Sequence, residues 1–339
     1  MKTTSYLAVA ALCLITLLPV STTHAQSAEP YLGEWALYVP NGAAWLEVHE
    51  ADGYLDASLL WYGGSVLPVS NVYLMDDALV VTRQQNIVRE RDADGKPSRT
   101  HTATQWLSLK RDGQNLVGTM TMPNRNGKGV STIDVMGKKI PPLPATPDLS
   151  KVEYGEPIDL FNGTDLTGWS LIGTDRANGF KVEDGVLIND PVQPEDGHHI
   201  RYGNLRTDET FEDFNLKLDV NIPKGNNSGV YLRGIYEIQV VDSYGQGLDP
   251  HYMGALYSRV TPSVSAEKPG GEWQEMDITL YKRHITVILN GQKILDNVPA
   301  RGVTGGAMTA DQFSPGPIFL QGDHGKVMYR NMVLTPILN

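Results

Sequence analysis

Apolar and polar residues alternate along much of the second half of this chain, which is the pattern of half-buried β-strands. A hairpin is predicted over residues 285–295, because the dipeptide Asn290-Gly291 between two apolar runs favours a type I′ turn. A last hairpin is predicted from two apolar runs, Ile318–Gln321 and Val327–Asn331, on either side of the polar tip 322–325. In residues 214–220 the alternation places four apolar side chains on one face: Phe214, Leu216, Leu218 and Val220. The pattern predicts antiparallel sheets.

The first half of the chain also consists of short alternating segments, here rich in tryptophan. Four of the six tryptophans fall between Tyr31 and Gly137. Turn dipeptides such as Gly63-Gly64 and Asp112-Gly113 separate the segments. This pattern predicts a small antiparallel β-barrel of lipocalin-like or avidin-like form, with one face turned inward.

Proline separates the two halves. Residues 140–156 contain Pro141, Pro142, Pro144 and Pro147 with almost no apolar periodicity, which is typical of a stiff, extended connector. We therefore predict an accessory barrel over residues 31–139, a linker over 140–156 and a two-sheet sandwich over 157–337. The fold class is all-β.

The first 25 residues have the composition of a secretory leader. Lys2 gives a basic start, Leu7–Val20 is apolar, and Ala25 ends a run of small residues suited to cleavage. The apolar run is shorter than the ~20 residues that a helix needs to cross a bilayer. We expect an exported protein, periplasmic or secreted from a bacterium, with no stable membrane insertion. Cys13, the only cysteine, lies in the leader, so no disulfide is expected afterwards.

Charge narrows the range of partners. The whole chain has a formal net charge of −11, and removal of Lys2 leaves 27 basic and 39 acidic residues, or −12. An acidic chain repels nucleic acid and anionic lipid, so a neutral partner is expected. Nothing in the sequence indicates a protein partner.

The densest group of polar side chains lies between Asn227 and Ser243. Strand alternation predicts one polar face formed by Tyr231, Arg233, Glu237 and Gln239, opposite an apolar face. Such a row is typical of a sugar-binding face, although an ordinary solvated face is an equally good interpretation of the residues alone. Gly234 interrupts the alternation and leaves the facing beyond it open.

Several blocks in fixed order resemble the 3-keto-disaccharide hydrolase family. They are Leu160–Trp169, Asn227–Arg233, Tyr236–Ser243, Gly271–Trp273, Gly316–Gln321 and Arg330–Asn331. The resemblance runs from about Pro157 to Pro336 and implies a concanavalin-like jelly-roll sandwich. It also implies cleavage of glycosides that carry a ketone at C3 of the sugar. This sequence departs from the family in the motif Gln321–His324, where Gly322 lengthens the turn.

A C3 ketone acidifies the hydrogen on C2, so the group on C1 can leave by elimination. That route needs a base, an acid and a donor for the enolate oxygen. We assign the base to Glu237 or Asp242, the donor to Arg233 and the second proton carrier to His324, whose ordinary pKa lies near neutral. Direct displacement by Glu237 and Asp242 stays open as an alternative. In a third version, Glu237, Asp242 and His324 hold a divalent cation, calcium or another, and no organic cofactor is expected.

The remaining candidate residues are assigned to carbohydrate binding. They are Asn227, Tyr231, Gln239, Ser243, His251, Tyr257 and Gln321. The first hypothesis is therefore an enzyme, a hydrolase or a 1,2-eliminating lyase acting on 3-keto-glycosides. In this hypothesis the N-terminal unit binds glycan or packs against the catalytic face. The alternative is a lectin-like module that binds carbohydrate without cleaving it, and a calcium-binding adhesin domain is a third interpretation.

Overall fold

The computed structural model describes residues 27–173, 175–195 and 198–339, so the predicted leader and Cys13 lie outside the described residues. The described chain forms three antiparallel sheets and two single-turn 3₁₀ helices, Glu29–Tyr31 and Leu149–Lys151. The all-β prediction is confirmed. None of the helices within these residues is long and apolar enough to cross a membrane.

The N-terminal unit is one nine-stranded sheet in meander order. Its strands are β1 Gly33–Val39, β2 Gly42–Ala51, β3 Tyr54–Trp61, β4 Leu67–Pro68, β5 Asn71–Met75, β6 Ala78–Arg91, β7 Pro97–Asp112, β8 Asn115–Pro123 and β9 Val130–Lys139. The order across the sheet is β4-β3-β2-β1-β9-β8-β7-β6-β5. The sheet curls so that β3 contacts β5, and its inner face encloses a core that contains Trp35, Leu37 and Leu46.

The second unit contains two packed sheets. Its strands are β10 Ile158–Asp159, β11 Trp169–Ile172, β12 Phe180–Glu183, β13 Val186–Asn189, β14 Asn204–Thr207, β15 Phe214–Asn221, β16 Asn227–Leu232, β17 Tyr236–Val241, β18 Trp273–Tyr281, β19 His284–Leu289, β20 Gln292–Pro299, β21 Phe319–Leu320 and β22 Val327–Pro336. One sheet has the order β12-β13-β22-β15-β18-β19-β20, with β10 paired to β22. The other has the order β11-β14-β21-β16-β17. The predicted sandwich is confirmed.

Local patterns explain most of these strands. The four apolar side chains of β15 are at most 2% exposed and pack between the sheets, as the alternation predicts. Asn290 and Gly291 both have positive φ, 50° and 81°, and join β19 to β20 in the way a type I′ turn requires.

The prediction of a final hairpin is wrong. β21 lies between β14 and β16 in one sheet, whereas β22 lies between β13 and β15 in the other. The polar segment 322–325 therefore crosses from sheet to sheet. Asn189 fixes the crossing by donating from Nδ2 to the carbonyl oxygens of Gly322 (3.1 Å) and Gly325 (3.0 Å). A side chain at position 322 would lie 2.2 Å from the Gly203 carbonyl oxygen, so only glycine fits there.

The two units share a hydrophobic core. Ala36, Trp45 and Leu60 on the outer face of β1–β3 belong to the same buried cluster as the sandwich residues. Both faces of these strands are thus buried, the inner face in the curled sheet and the outer face against the sandwich.

The proline-rich connector lies along the sandwich rather than between separated bodies. The Arg283 side chain donates to the Pro141 carbonyl oxygen at 2.8 Å, and Asn297 donates to that of Pro147 at 3.2 Å.

Candidate functional site

A cavity of about 260 Å³ lies over the five-stranded sheet, where the N-terminal unit meets the sandwich. It is lined by Gly63, Gly64, Asn204, Asn227, Tyr231, Glu237, Gln239, Tyr257, Gly305, Gly306, Phe319, Gln321, Asp323 and His324. The sandwich contributes the polar side chains of this lining. The N-terminal unit contributes the turn that follows β3.

Glu237 and Tyr231 form the floor of the cavity. They are direct partners on β17 and β16, and Gln239 follows on the same face opposite Gly229. A Cβ on Gly229 would lie 2.3 Å from Glu237 Oε1, and one on Gly306 would lie 2.7 Å from the Tyr231 hydroxyl. Two glycines therefore make room for these two side chains. The Phe319 ring stacks on the Tyr231 ring with centroids 4.3 Å apart and holds it in place.

The Glu237 side chain is almost fully buried, at 3% exposure. Burial raises the pKa of Glu237 to about 8; the charge of Asp323 adds to this rise, and the hydrogen bond with Tyr231 opposes it. The carboxyl group is therefore mostly protonated at neutral pH.

The hydrogen bonds of Tyr231 fit a protonated Glu237. The Tyr231 hydroxyl oxygen lies 2.8 Å from Glu237 Oε2 and 2.8 Å from the Gly305 carbonyl oxygen. A tyrosine hydroxyl has one hydrogen and can donate to one of these oxygens at full strength. When Glu237 carries a proton, it donates to Tyr231 and Tyr231 donates to Gly305, so every group in the chain is satisfied.

A second titratable pair lies at the rim, on the segment that crosses between the sheets. Asp323 Oδ1 and His324 Nδ1 are 2.7 Å apart. The hydrogen bond with Asp323, helped by its charge, raises the pKa of His324 against the effect of burial. Burial alone would raise the pKa of Asp323. The hydrogen bond from His324 and the positive charges of His324 and Arg176 outweigh burial, so the pKa of Asp323 is lowered. The pair thus favours imidazolium and carboxylate.

Two amide side chains of the cavity lining have buried oxygens without a partner in the protein. They are Asn227 Oδ1 and Gln321 Oε1, and both residues line the cavity. A buried acceptor without a hydrogen bond is costly, so these two oxygens are available to accept from water or from a ligand in the cavity. Gln239 and Tyr257 complete this polar lining, and Gln239 is fixed by a bond from its Nε2 to the His251 carbonyl oxygen at 3.1 Å.

The structure brings seven of the eleven candidate residues together at this cavity. They are Asn227, Tyr231, Glu237, Gln239, Tyr257, Gln321 and His324. The remaining four, Arg233, Asp242, Ser243 and His251, do not line it. The roles assigned to all eleven stay predictions.

Arg233 leaves the predicted polar row because β16 ends at Leu232. Arg233 begins the turn to β17 with a positive φ of 55°. Its guanidinium is buried and donates to the carbonyl oxygens of Gln312 and Ser314, which explains why it fixes a loop rather than facing the cavity.

Asp242 and Ser243 lie beyond the far end of β17. Asp242 Oδ2 accepts from the Gly225 backbone N–H at 2.8 Å, and Ser243 donates to Glu267 at 3.2 Å. Because Asp242 is turned to this loop, the predicted cation set of Glu237, Asp242 and His324 does not converge. In residues 27–173, 175–195 and 198–339, no group of three or more His, Cys, Asp or Glu side chains could hold a metal ion.

His251 lies just behind the cavity, at the contact between the two units. Its Nε2 is 2.8 Å from the Ser65 hydroxyl and its Nδ1 is 2.6 Å from Asp249 Oδ1. The ring also meets the Tyr257 ring edge to face, with centroids 5.1 Å apart. His251 therefore supports Tyr257 and the turn after β3 rather than lining the cavity itself.

Sequence reasoning missed Asp323, Asn204 and the glycine pairs that shape the cavity. Asp323 stands next to His324 in the motif singled out from the sequence, so that signal was present. Gly63-Gly64 indicates only a turn, and the three glycines of segment 302–306 show no pattern that points to a cavity. A Cβ on Gly305 would lie 2.1 Å from the Gly64 carbonyl oxygen, so these two backbones meet where no side chain fits.

Comparison with known proteins places the sandwich in a family. Residues 156–335 match the 3-keto-alpha-glucoside-1,2-lyase-like domain, and this chain belongs to that family. A 3-keto-disaccharide hydrolase of Bacteroides thetaiotaomicron is 27% identical over a region that covers 41% of this chain and 57% of the relative. This chain thus spans little more than half the length of that curated relative.

Solved structures with a related sequence come from Parabacteroides distasonis. One of them, provisionally named a glycosyl hydrolase, is 26% identical to this chain. The match covers 58% of this chain and 92% of the solved chain, with a TM-score of 0.43. A second structure of the same description is also 26% identical. The match covers 54% of this chain and 100% of the solved chain, with a TM-score of 0.40.

Proposed function

We propose that this protein cleaves glycosides whose sugar ring carries a ketone at C3. The observation that carries the proposal is the buried Glu237, whose pKa burial raises to about 8, in a cavity whose rim holds the Asp323–His324 pair. Two titratable groups with different environments are the arrangement that general acid–base chemistry needs. Membership of the family and the name of its curated relative support the keto-sugar as the substrate.

The ketone makes a two-step cleavage available. A base removes the proton from C2, and the electron pair of the C–H bond forms an enolate with the C3 oxygen. The enolate then expels the group on C1, whose oxygen takes a proton, and a double bond remains between C1 and C2. Addition of water to this 2-hydroxyglycal gives the free 3-keto sugar, so a lyase and a hydrolase share the first step.

Glu237 is the acid in this scheme, because its raised pKa keeps it protonated at neutral pH. It gives its proton to the departing oxygen on C1. Tyr231 holds the carboxyl in position through the 2.8 Å hydrogen bond. The hydroxyl of Tyr231 then donates to the carboxylate that is left, which offsets part of the cost of a buried charge.

His324 is the base that takes the C2 proton. Asp323 holds one ring nitrogen and stabilises the imidazolium that forms, since the two lie 2.7 Å apart. The partnerless amide oxygens of Asn227 and Gln321 accept hydrogen bonds from sugar hydroxyls. Arg233 takes no part. The enolate oxygen at C3 accepts hydrogen bonds from the side-chain amide N–H groups of the cavity lining and from the Tyr257 hydroxyl.

Activity should therefore follow a bell-shaped pH profile. Activity rises with pH as His324 loses its proton and becomes a base. This rise falls at higher pH than for an ordinary histidine, because the hydrogen bond with Asp323 raises the pKa of His324. Activity falls above about pH 8, as Glu237 ionises and can no longer serve as the acid.

The test uses a matched pair of disaccharides, one oxidised at C3 and one not, each incubated with the purified protein with and without a chelator. Proton NMR should detect a 2-hydroxyglycal or a free 3-keto sugar from the oxidised disaccharide alone. Loss of turnover with chelator would add a divalent cation to the site. Retention of the oxidised sugar without conversion would overturn the proposal and favour the lectin-like module.

A further inference from the structure

A second, larger compartment of about 590 Å³ adjoins the catalytic cavity. The two share the lining residues Asn204, Gly306, Phe319 and Asp323, so the two compartments are direct neighbours. The outer compartment continues between the two units of the protein. Ligand sites of small molecules commonly have volumes of about 300–1,000 Å³, so this compartment has room for a further ring or aglycone.

One wall of the outer compartment belongs to the N-terminal unit. It is the turn Asn41-Gly42 between β1 and β2. Asn41 has a positive φ of 57°, which asparagine tolerates, and a Cβ on Gly42 would lie 2.7 Å from the Tyr62 ring. The Tyr62 hydroxyl in turn donates to the Pro40 carbonyl oxygen at 2.8 Å. The turn is therefore fixed by close packing.

The opposite wall belongs to the sandwich and carries balanced charges. Arg201 Nη1 lies 3.4 Å from Asp175 Oδ2, and Arg176 Nε lies 3.6 Å from Asp175 Oδ1. Arg176 also faces Asp323, whose pKa its charge helps to lower. Two arginines are thus matched by two aspartates, and the wall offers many hydrogen-bond donors without a net charge. Such a wall suits an uncharged ligand rich in hydroxyl groups.

We propose that the outer compartment is the subsite for the leaving group of the glycoside, that is, for a neutral sugar joined to the oxidised ring. The inference rests on the proposed function, because it places the oxidised ring in the inner cavity beside Glu237. It assigns a specificity role to the N-terminal unit, which lies outside the region matched by the family. A glycoside with a second ring uses both compartments, whereas one with a methyl aglycone uses the inner cavity alone.

The experiment compares two substrates, a 3-keto-disaccharide made of two glucose units and methyl 3-keto-glucoside. Arg201→Ala, which leaves Arg176 and its charge near Asp323 in place, should lower kcat/KM for the disaccharide about tenfold or more, since hydrogen bonds from a charged donor are lost. The same variant should leave methyl 3-keto-glucoside within about twofold of the wild type. Arg99→Ala serves as the control, because Arg99 is an exposed arginine paired with Glu90 on the far hairpin.

An equal loss on both substrates would overturn the subsite while leaving the proposed function intact. If wild-type protein cleaves neither substrate, the proposed function fails instead, and binding still decides the subsite. Calorimetry with the Glu237→Gln variant should then give tighter binding of the disaccharide than of the methyl glucoside, and adding Arg201→Ala should remove that difference. Identical binding of both sugars before Arg201→Ala is added would refute the subsite.

Discussion

The two units of this protein contribute different kinds of groups to one cavity. The sandwich supplies titratable and amide side chains: Glu237, Asp323, His324, Asn227 and Gln321. The N-terminal unit supplies backbone, the Gly63-Gly64 turn, and the adjacent Ser65 hydroxyl fixes this turn by its contact with His251. The titratable groups of the cavity therefore come from one unit and part of its wall from the other. Substitutions in the sandwich should change the pH dependence or kcat, whereas substitutions in the N-terminal unit should change stability or KM.

The shared core makes this division possible. Trp45 of the N-terminal unit is 2% exposed, and the guanidinium of Arg259 lies 4.4 Å from the centre of its ring. Arg259 also donates to the Val303 carbonyl oxygen at 2.9 Å, on the segment that leads to Gly305. Burial lowers the pKa of Arg259 to about 10, so the guanidinium still carries its charge at neutral pH. The cavity wall is thus held by a packed interface.

The largest effect is expected from Glu237→Gln on the sandwich side. The variant should lose kcat by about 10²–10⁴-fold, because an amide cannot donate the proton that general acid catalysis requires. Binding of the oxidised disaccharide and the thermal unfolding midpoint should change little. Glu275→Gln, which removes an exposed carboxylate of β18, is the control. Steady-state kinetics with unchanged kcat would exclude Glu237 as the acid.

Trp45→Ala should expose the contribution of the N-terminal unit. Removal of a fully buried tryptophan costs about 3–5 kcal/mol, and here the loss opens the interface with Arg259 as well. Denaturant unfolding should show this loss, while the pH profile of the remaining activity keeps its shape. Trp106→Ala, which truncates a tryptophan of the same unit that is 37% exposed, should cost clearly less. Equal losses would mean that the interface carries no special share of stability.

Asp323→Asn should shift the pH profile without removing the cavity. The raised pKa of His324 depends on Asp323, so its loss should move the acid limb to lower pH. The charge of Asp323 also raises the pKa of Glu237, so the alkaline limb should move to lower pH too. Asp249→Asn removes the aspartate bonded to His251, away from the cavity lining, and should leave both limbs in place. If Asp323→Asn left the pH profile unchanged, the Asp323–His324 pair would have no part in the reaction.

The smallest effect is expected from Ser65→Ala, which removes the 2.8 Å contact with His251. One such hydrogen bond contributes about 0.5–1.5 kcal/mol. We expect a modest rise in KM, as the turn after β3 loosens, with both pH limbs unmoved. Ser131→Ala, on a hairpin remote from the cavity, should leave KM at the wild-type value. A shift in the pH limbs would show that the turn acts on the titratable groups.

Local patterns predicted much of the sandwich and part of the site. The apolar face of β15 and the Asn290-Gly291 turn follow from the sequence, because they depend on neighbouring residues alone. Tyr231, Glu237 and Gln239 share a face as the alternation indicated, and Gly234 did not invert it. Arg233 was misplaced because a turn began one residue earlier than the pattern showed.

Contacts between distant segments account for what was missed. The runs around Phe319 and Val327 look like a hairpin in sequence, yet each strand has better partners in a different sheet. The same crossing brings the charge of Asp323 close to Glu237, and no local pattern reports that approach. Gly64 and Gly305 meet for a similar reason, since their fit depends on how two units dock.

The sequence by itself determined the all-β class, the apolar faces of the strands and the residue types available for chemistry, because these are properties of neighbouring positions. Only the tertiary structure decided that Glu237 is buried deeply enough to keep a proton at neutral pH. It alone decided that Arg233 and Asp242 bind loops and that the N-terminal unit closes the cavity. Burial and charge act through space, and spatial neighbours far apart in the chain are fixed only when the whole fold has formed.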